Sequence, residues 1–356
     1  MPTTAAVQPD PPDLLRRLQS LCRGRELGAL AARLAGLADL VAPDVARFEK
    51  TVPSLRPEAS AVERGAQHLV DLGGKRLRPI CVALASRLGT GFDERALQLA
   101  VAVEMVHAAT LLHDDVVDVG DTRRGAPAAR MIFGNAVSIF AGDWLLIDAL
   151  KRVRKAEVDG VLERLLDVIE EMILAESLQL ERRGRLDTTQ AQWFDIVDGK
   201  TAALFRWAMF AGGKAGGASD AECEVLETYG RHLGVAFQAI DDLLDLAGNP
   251  DETGKALFTD LREGKLTYPL IVSLGREPAL EPLLRDIIGA DESTPEQHRQ
   301  HQRVLAILDA TGSLDECRKL ALDHAARAKD ALGGMPPSRA KDALLTVADA
   351  TVHRPS

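Results

Sequence analysis

Two Asp-Asp-x-x-Asp runs, Asp114-Asp115-Val116-Val117-Asp118 and Asp241-Asp242-Leu243-Leu244-Asp245, hold the side chains best suited to chemistry in this sequence. Carboxylate oxygens are hard ligands, and a few of them together with substrate oxygens and water suit magnesium. Aspartate is common here, with 31 among 356 residues. Chance alone then gives roughly 0.2 such runs in the chain, so a single match says little. Two matches in similar surroundings say more. His107, Leu111, Asp114 and Asp118 follow one another at helical steps and share a stripe. Gly234, Gln238, Asp241 and Asp245 repeat the same steps. Their neighbours Val106, Leu112, Val116, Ile240, Leu243 and Leu244 are apolar and call for burial. Carboxylates gathered on buried helices repel one another unless cations neutralise them. The plainer reading is two solvated acidic helix faces, which the apolar flanks disfavour.

Cations stand near both runs. Gly73-Gly74-Lys75-Arg76-Leu77-Arg78-Pro79 puts three of them beside a flexible glycine pair, ahead of a helix that Pro79 can start. Such a segment can hold a diphosphate by charge-assisted hydrogen bonds without a metal. Arg123-Arg124-Gly125 follows the first run by five residues. Lys200-Thr201 lies on a helix, and Lys255 and Lys265 occupy glycine-bearing loops after the second run. His107 taken alone reads as a core histidine. Its place on the Asp114/Asp118 stripe turns it toward the site.

The elements that must position these groups are helices. From Leu14 onward Leu, Ala, Arg and Glu recur at three- and four-residue steps, and no period-two strand stands out. Gly- and Pro-rich breaks, as at Gly89–Gly91, Gly120–Pro127 and Gly212–Ser219, leave segments of helical length. The expectation is a disordered lead-in over residues 1–12 and a single all-α domain over 13–356, one large helical bundle with its site in a central cavity between helices. Hydrophobic residues make up 46% and charged residues 27%, the balance of a soluble globular chain. A net charge of -10 argues against a general nucleic-acid surface. Cys22, Cys81, Cys223 and Cys317 fit no metal or redox spacing and suit a reducing, cytoplasmic compartment. No uncharged apolar run of spanning length and no signal-like N-terminus is evident, so no transmembrane segment is expected.

These segments together resemble the trans-isoprenyl diphosphate synthase (polyprenyl synthetase) family. The matches run in order through Gly73–Pro79, Leu111–Asp118, Arg123–Gly125, Gly142-Asp143, Gly199–Ala202, Gly234–Asp245, Gly254-Lys255 and Asp260–Pro269. Tyr268 departs from the Leu found in many members, and the N-terminal segment has no diagnostic match. The resemblance implies the isoprenoid synthase fold, a homodimer, and head-to-tail all-trans condensation of isopentenyl diphosphate with an allylic prenyl diphosphate. It further implies magnesium, three ions with substrate bound, held by Asp114, Asp118 and Asp241. Asp115, Asp242 and Asp245 count with the catalytic carboxylates. Arg123, Lys200, Thr201, Gln238, Lys255 and Lys265 would serve the allylic diphosphate, with Lys200, Thr201 and Gln238 also catalytic. Lys75, Arg78, His107 and Arg124 would hold isopentenyl diphosphate.

Product length falls to Ala109 and Thr110, five and four residues before Asp114, where short-chain enzymes of the family often carry aromatic side chains. A small residue lets the hydrocarbon continue at least one more turn, about 5.4 Å. The resemblance is thus greatest to bacterial long-chain, octaprenyl-like synthases, with transient membrane contact available for product release. Three other readings are a shorter-chain (C15–C20) synthase, a class I terpene cyclase and a non-catalytic partner subunit. The second acidic run and the Gly-Gly-Lys segment count against the last two.

Overall fold

The computed structural model describes residues 28–52, 58–248, 257–290 and 294–353. The lead-in of residues 1–12, Cys22 and Lys255 lie outside the described residues. The chain divides into two compact units. The first comprises Met1–Leu165, Trp207–Glu227 and Met335–Thr346; the second comprises Leu166–Arg206, Thr228–Gly334 and Val347–Ser356.

In chain order the described elements begin with α1 (Gly28–Thr51), α2 (Ala61–Asp71), α3 (Leu77–Ser86) and α4 (Glu94–Val117). A two-strand ribbon follows, β1 (Thr122–Arg123) and β2 (Ala126–Pro127), then α5 (Ala129–Phe133), α6 (Asn135–Ala156) and α7 (Val161–Arg182). Next come α8 (Gln190–Val197), a π-helical turn (Asp198–Ala202), α9 (Ala203–Ala215), α10 (Asp220–Ala247) and α11 (Thr259–Arg262). The chain closes with α12 (Tyr268–Arg276), α13 (Glu281–Ile287), α14 (Pro295–Ala310), α15 (Ser313–Ala331) and α16 (Arg339–Val352).

In the first unit α1 buries Leu30, Leu34, Leu37, Val41, Val45 and Phe48, the steps of a single helical stripe. α2 starts at a reciprocal cap. The Ser60 hydroxyl accepts from Glu63 N at 3.2 Å, and the Glu63 carboxylate accepts from Ser60 N at 2.8 Å. α4 packs most extensively on α6, whose buried positions include the small Ser138, Ala141, Gly142 and Ala149. The Ser138 hydroxyl donates to Leu112 O at 3.0 Å. Leu112 is fully buried, and its replacement by Ala would cost about 2–5 kcal/mol. By length and composition α4 could cross a membrane, yet 78% of its apolar window is buried inside the protein. Its apolarity goes into the core, and a polar stripe remains along it for the acidic run.

Among the described residues the second unit shows two apolar cores. One joins Trp193, Val197, Val235, Ala239, Leu243, Tyr268 and Ala321. The other joins Leu246, Phe258, Leu261, Leu270, Leu284 and Val304.

Some features differ from expectation. The Gly120–Pro127 break is a short antiparallel ribbon, pairing Thr122 with Pro127 and Arg123 with Ala126. It is too short to leave a period-two pattern. The turn at residues 183–189, between α7 and α8, also went unmarked. Its sequence signal was the capping pair Thr189 and Gln192, which hydrogen-bond reciprocally at 3.2 and 3.0 Å. Cys81, Cys223 and Cys317 are buried and free.

Candidate active site

In the first unit α4 ends with the first acidic run. Asp118 is its C-cap, with its N–H donating to Asp114 O at 2.8 Å. Val119 then takes φ +57°, an unfavourable conformation for a β-branched residue. Arg130 holds this turn, donating to Val119 O and Gly120 O at 2.7 Å each and to Asp121 at 2.5 Å. The ribbon follows. Arg124 and Gly125 at its tip have φ +53° and +77°, the paired positive values that a two-residue type I′ turn requires.

The ribbon carries Arg123 back to α4. Its Nε donates to Asp115 Oδ1 at 2.9 Å, and its Nη2 donates to the same oxygen. Asp115 is fully buried, and its Oδ1 aims Arg123 while its Oδ2 is buried without a hydrogen-bond partner. Arg124 turns the other way. A Cβ on Gly74 would lie 2.9 Å from Arg124 Nη2, so the bare glycine lets this guanidinium lie against the Gly73–Arg78 segment. Arg76 anchors that segment from beneath, donating to Glu104 at 2.6 Å and Glu49 at 3.1 Å. Lys75 beside it is exposed.

His107 reports the resulting field. Its surface is partly open, yet enclosure by the fold, then the charges of Arg78, Arg124, Arg123 and Arg76, hold its pKa well below the usual imidazole range. It is therefore a neutral hydrogen-bonding group at pH 7. Three of the expected binding residues, Arg78, His107 and Arg124, and the expected allylic-site Arg123 thus belong to one electropositive locale. The Gly142-Asp143 pair also gains a reason. A Cβ at Gly142 would meet His113 Nε2 at 2.3 Å, and that nitrogen lies 3.1 Å from Ile139 O and 3.3 Å from Asp143. The contact fixes α4 against α6 one residue before Asp114.

In the second unit Lys200 and Thr201 lie in the π turn, a distortion frequent at functional sites. α10 meets this turn at Gly234, where a Cβ would sit 2.5 Å from Ala202 Cα. That approach lets the Thr201 hydroxyl donate to Gln238 Oε1 at 2.9 Å. The Gln238 amide donates to Asp242 Oδ1 at 2.9 Å. Asp242 Oδ2 accepts from Trp193 Nε1 at 2.9 Å and from Tyr268 N at 3.0 Å. Asp242 is only 2% exposed, and its bonds hold Gln238, α8 and α12 in register. Burial lifts its pKa to about 7 against those three donors, with the charge of Asp260 adding to the rise.

A cleft within this unit is lined by Lys200, Thr201, Gln238, Asp260, Lys265 and Thr267. Lys200 donates to Glu176, and to Gln179 at 2.8 Å. Lys265 donates to Glu263 at 2.8 Å. Glu176, Gln179 and Asp260 were missed as site residues. The first two sit one helical turn apart on α7 and carry no motif, whereas Asp260 stood within a matched segment.

Divalent metal fits the chemistry of the acidic runs. Burial, then the neighbouring charge of Asp260, pushes Asp245 above the usual carboxylate range. Its Oδ1 accepts from Thr259 N at 3.0 Å and Asp260 N at 3.3 Å, while Oδ2 is buried with no hydrogen-bond partner. A nearby dication would relieve that cost. Among the described residues no three His, Cys, Asp or Glu side chains converge to hold an ion unaided. An ion would therefore need substrate oxygens and water to complete its shell, as magnesium usually does.

Comparison with known proteins agrees with this chemistry. The family model "Polyprenyl synthetase" matches residues 59–305. The octaprenyl diphosphate synthase of Haemophilus influenzae is 35% identical over 88% of this chain and 95% of its own. The short chain isoprenyl diphosphate synthase of Methanothermobacter thermautotrophicus is 32% identical over 86% and 94%. A crystal structure of a polyprenyl synthase from Caulobacter crescentus, complexed with calcium and isoprenyl diphosphate, is 35% identical and superimposes with TM-score 0.79 over 96% of this chain and 98% of that one. The fold, the ordered motifs and these relatives agree: the chain belongs to the polyprenyl synthetase family and is a prenyltransferase.

Proposed function

We propose that this protein condenses isopentenyl diphosphate with an allylic prenyl diphosphate to build a long all-trans polyprenyl diphosphate. The observation that carries this reading is the gathering of Arg78, Arg123 and Arg124 around a neutral His107 in a protein of net charge -10. Cations so concentrated in an acidic chain serve a compact anion, and a diphosphate matches them without a metal. Arg78, Arg124 and His107, with Lys75, hold isopentenyl diphosphate.

The allylic diphosphate belongs to the residues of both acidic runs and to Arg123, Lys200 and Lys265, with Lys255 as a further contributor. Asp114, Asp118 and Asp241 would hold magnesium, three ions with substrate bound. These ions would neutralise the diphosphate as the allylic carbon–oxygen bond breaks. Lys200 and Lys265 exchange their present carboxylate partners for the leaving diphosphate and stabilise its growing charge. Thr201 and Gln238 turn oxygens toward the allylic cation. The double bond of isopentenyl diphosphate then attacks that cation, and the departed diphosphate takes the proton that is lost.

Relatives named for both octaprenyl and short-chain products match at similar identity, so identity alone leaves length open. Ala109 favours a long product. Its side chain is small and buried, and the Thr110 hydroxyl is returned to its own helix through His107 O at 2.8 Å. Purified protein incubated with farnesyl diphosphate, isopentenyl diphosphate and magnesium is expected to yield products beyond C20. Ala109→Phe should shorten them. A wild-type product ending at C15 or C20 would overturn the long-chain reading.

The protein works as a homodimer. Phe140, Trp144 and Ile147 on α6 are 59%, 37% and 50% exposed, a stripe that a second copy would cover. Sedimentation velocity should report a dimer that Phe140→Lys weakens. A monomeric wild type that instead sediments with lipid vesicles would assign the stripe to a membrane.

A further inference from the structure

The helix α12 begins at Thr267, whose backbone (φ -78°, ψ 161°) has the usual geometry of an N-cap. Its carbonyl accepts the first helical bond, from Ile271 N at 3.1 Å. The hydroxyl, however, caps nothing. A capping oxygen accepts from the second or third helical N–H. The second residue of α12 is Pro269, which has no N–H to give. No bond to the third is made. The first N–H, that of Tyr268, goes to Asp242. Thr267 Oγ1 is thus buried without a hydrogen-bond partner, in a residue 4% exposed. By contrast, Ser60, Thr189 and Thr294 all accept the capping bond from their own helices.

A buried hydroxyl without a partner is costly, and native proteins normally satisfy such groups. Thr267 lines the same cleft as Lys200, Lys265, Thr201 and Gln238. The group able to satisfy it must therefore arrive in that cleft. Two lysines already make the cleft suited to an anion, and a neutral hydroxyl adds a donor of fixed direction.

We propose that Thr267 is a diphosphate-contacting residue, its hydroxyl donating to an oxygen of the allylic diphosphate held between Lys200 and Lys265. This rests on the assignment of that cleft to the allylic substrate. Replacement by valine removes the donor and keeps the shape and branching of the side chain. Because the hydroxyl does not cap, Thr267→Val should leave the melting temperature unchanged or raise it.

The test uses the full-length protein with Thr267→Val and Thr267→Ser. Calorimetric titration with magnesium and inorganic diphosphate is expected to show about tenfold weaker binding for the valine variant, the range for a lost hydrogen bond to a charged group. The KM for farnesyl diphosphate should rise by a similar factor, while that for isopentenyl diphosphate stays within about twofold. Serine should restore both constants. A valine variant that melts lower while binding diphosphate like the wild type would overturn the proposal, because the hydroxyl would then be a cap. An equal rise in both KM values would also overturn it. A wild type that binds diphosphate but never condenses the two substrates would instead sink the proposed function, and the titration would still decide the role of Thr267.

Discussion

The two acidic runs have the same spelling and opposite surroundings. The middle carboxylate of the first, Asp115, is buried against a cation, Arg123. That of the second, Asp242, is equally buried, but its donors are an indole, an amide and a backbone N–H, all neutral. The first run therefore stands in an arginine-rich field that adds to burial in keeping His107 neutral. The second is pushed upward at Asp242 and Asp245 by burial first, with the charge of Asp260 adding to it. One motif can thus serve two electrostatic tasks, because its middle residue is fixed by whatever packs behind it.

The largest effect should come where the runs are alike. Asp114→Ala and Asp241→Ala are each expected to lower condensation of farnesyl and isopentenyl diphosphates by about 10²–10³-fold. If either variant turns over like the wild type, the equivalence of the two runs breaks. The next effect should come where they differ. Asp115→Asn breaks a buried ion pair and is expected to cost about 3 kcal/mol. Asp242→Asn keeps a polar group among neutral donors and should cost about 1 kcal/mol. Urea unfolding measures both, and equal losses would mean that Arg123 contributes no more to Asp115 than neutral donors give Asp242.

The smallest effect concerns histidines held neutral by different means. His107 is governed by burial and arginines, whereas His324 in the second unit is lowered to about 4 by burial first and then by His232, 3.1 Å away. The unfolded chain takes up that proton near the ordinary value of about 6.5. Between these pH values the unfolded state binds more protons, so stability rises with pH. This contribution is present above about 6.5 and is lost as pH falls toward 4. His324→Gln should flatten that limb of the stability profile. An unchanged slope would show that His324 titrates like a free imidazole.

Much of this was legible from residue order. Helical steps located α4 and α10, and the polar positions on their stripes marked Asp114, Asp118, Asp241 and Asp245. The glycines at 73–74 and at 234 stood out in the motifs, although the close approaches that require Gly74 and Gly234 needed coordinates. What was not legible has a physical cause. The partners of Asp115 and Asp242 depend on what packs behind each helix. Arg130 and Glu176 carry no motif, because their partners, at 119–121 and at Lys200, are distant in sequence.

Local spacing determined that the chain is helical, that two helices carry paired carboxylates, and that cations accompany them, because a helix fixes which side chains share a face within a few residues. Tertiary packing decided which of those carboxylates are turned inward, which arginines surround His107, and that the Thr267 hydroxyl is left in a cleft without a partner. Desolvation and long-range contacts set those outcomes, and neither is written in the neighbouring residues.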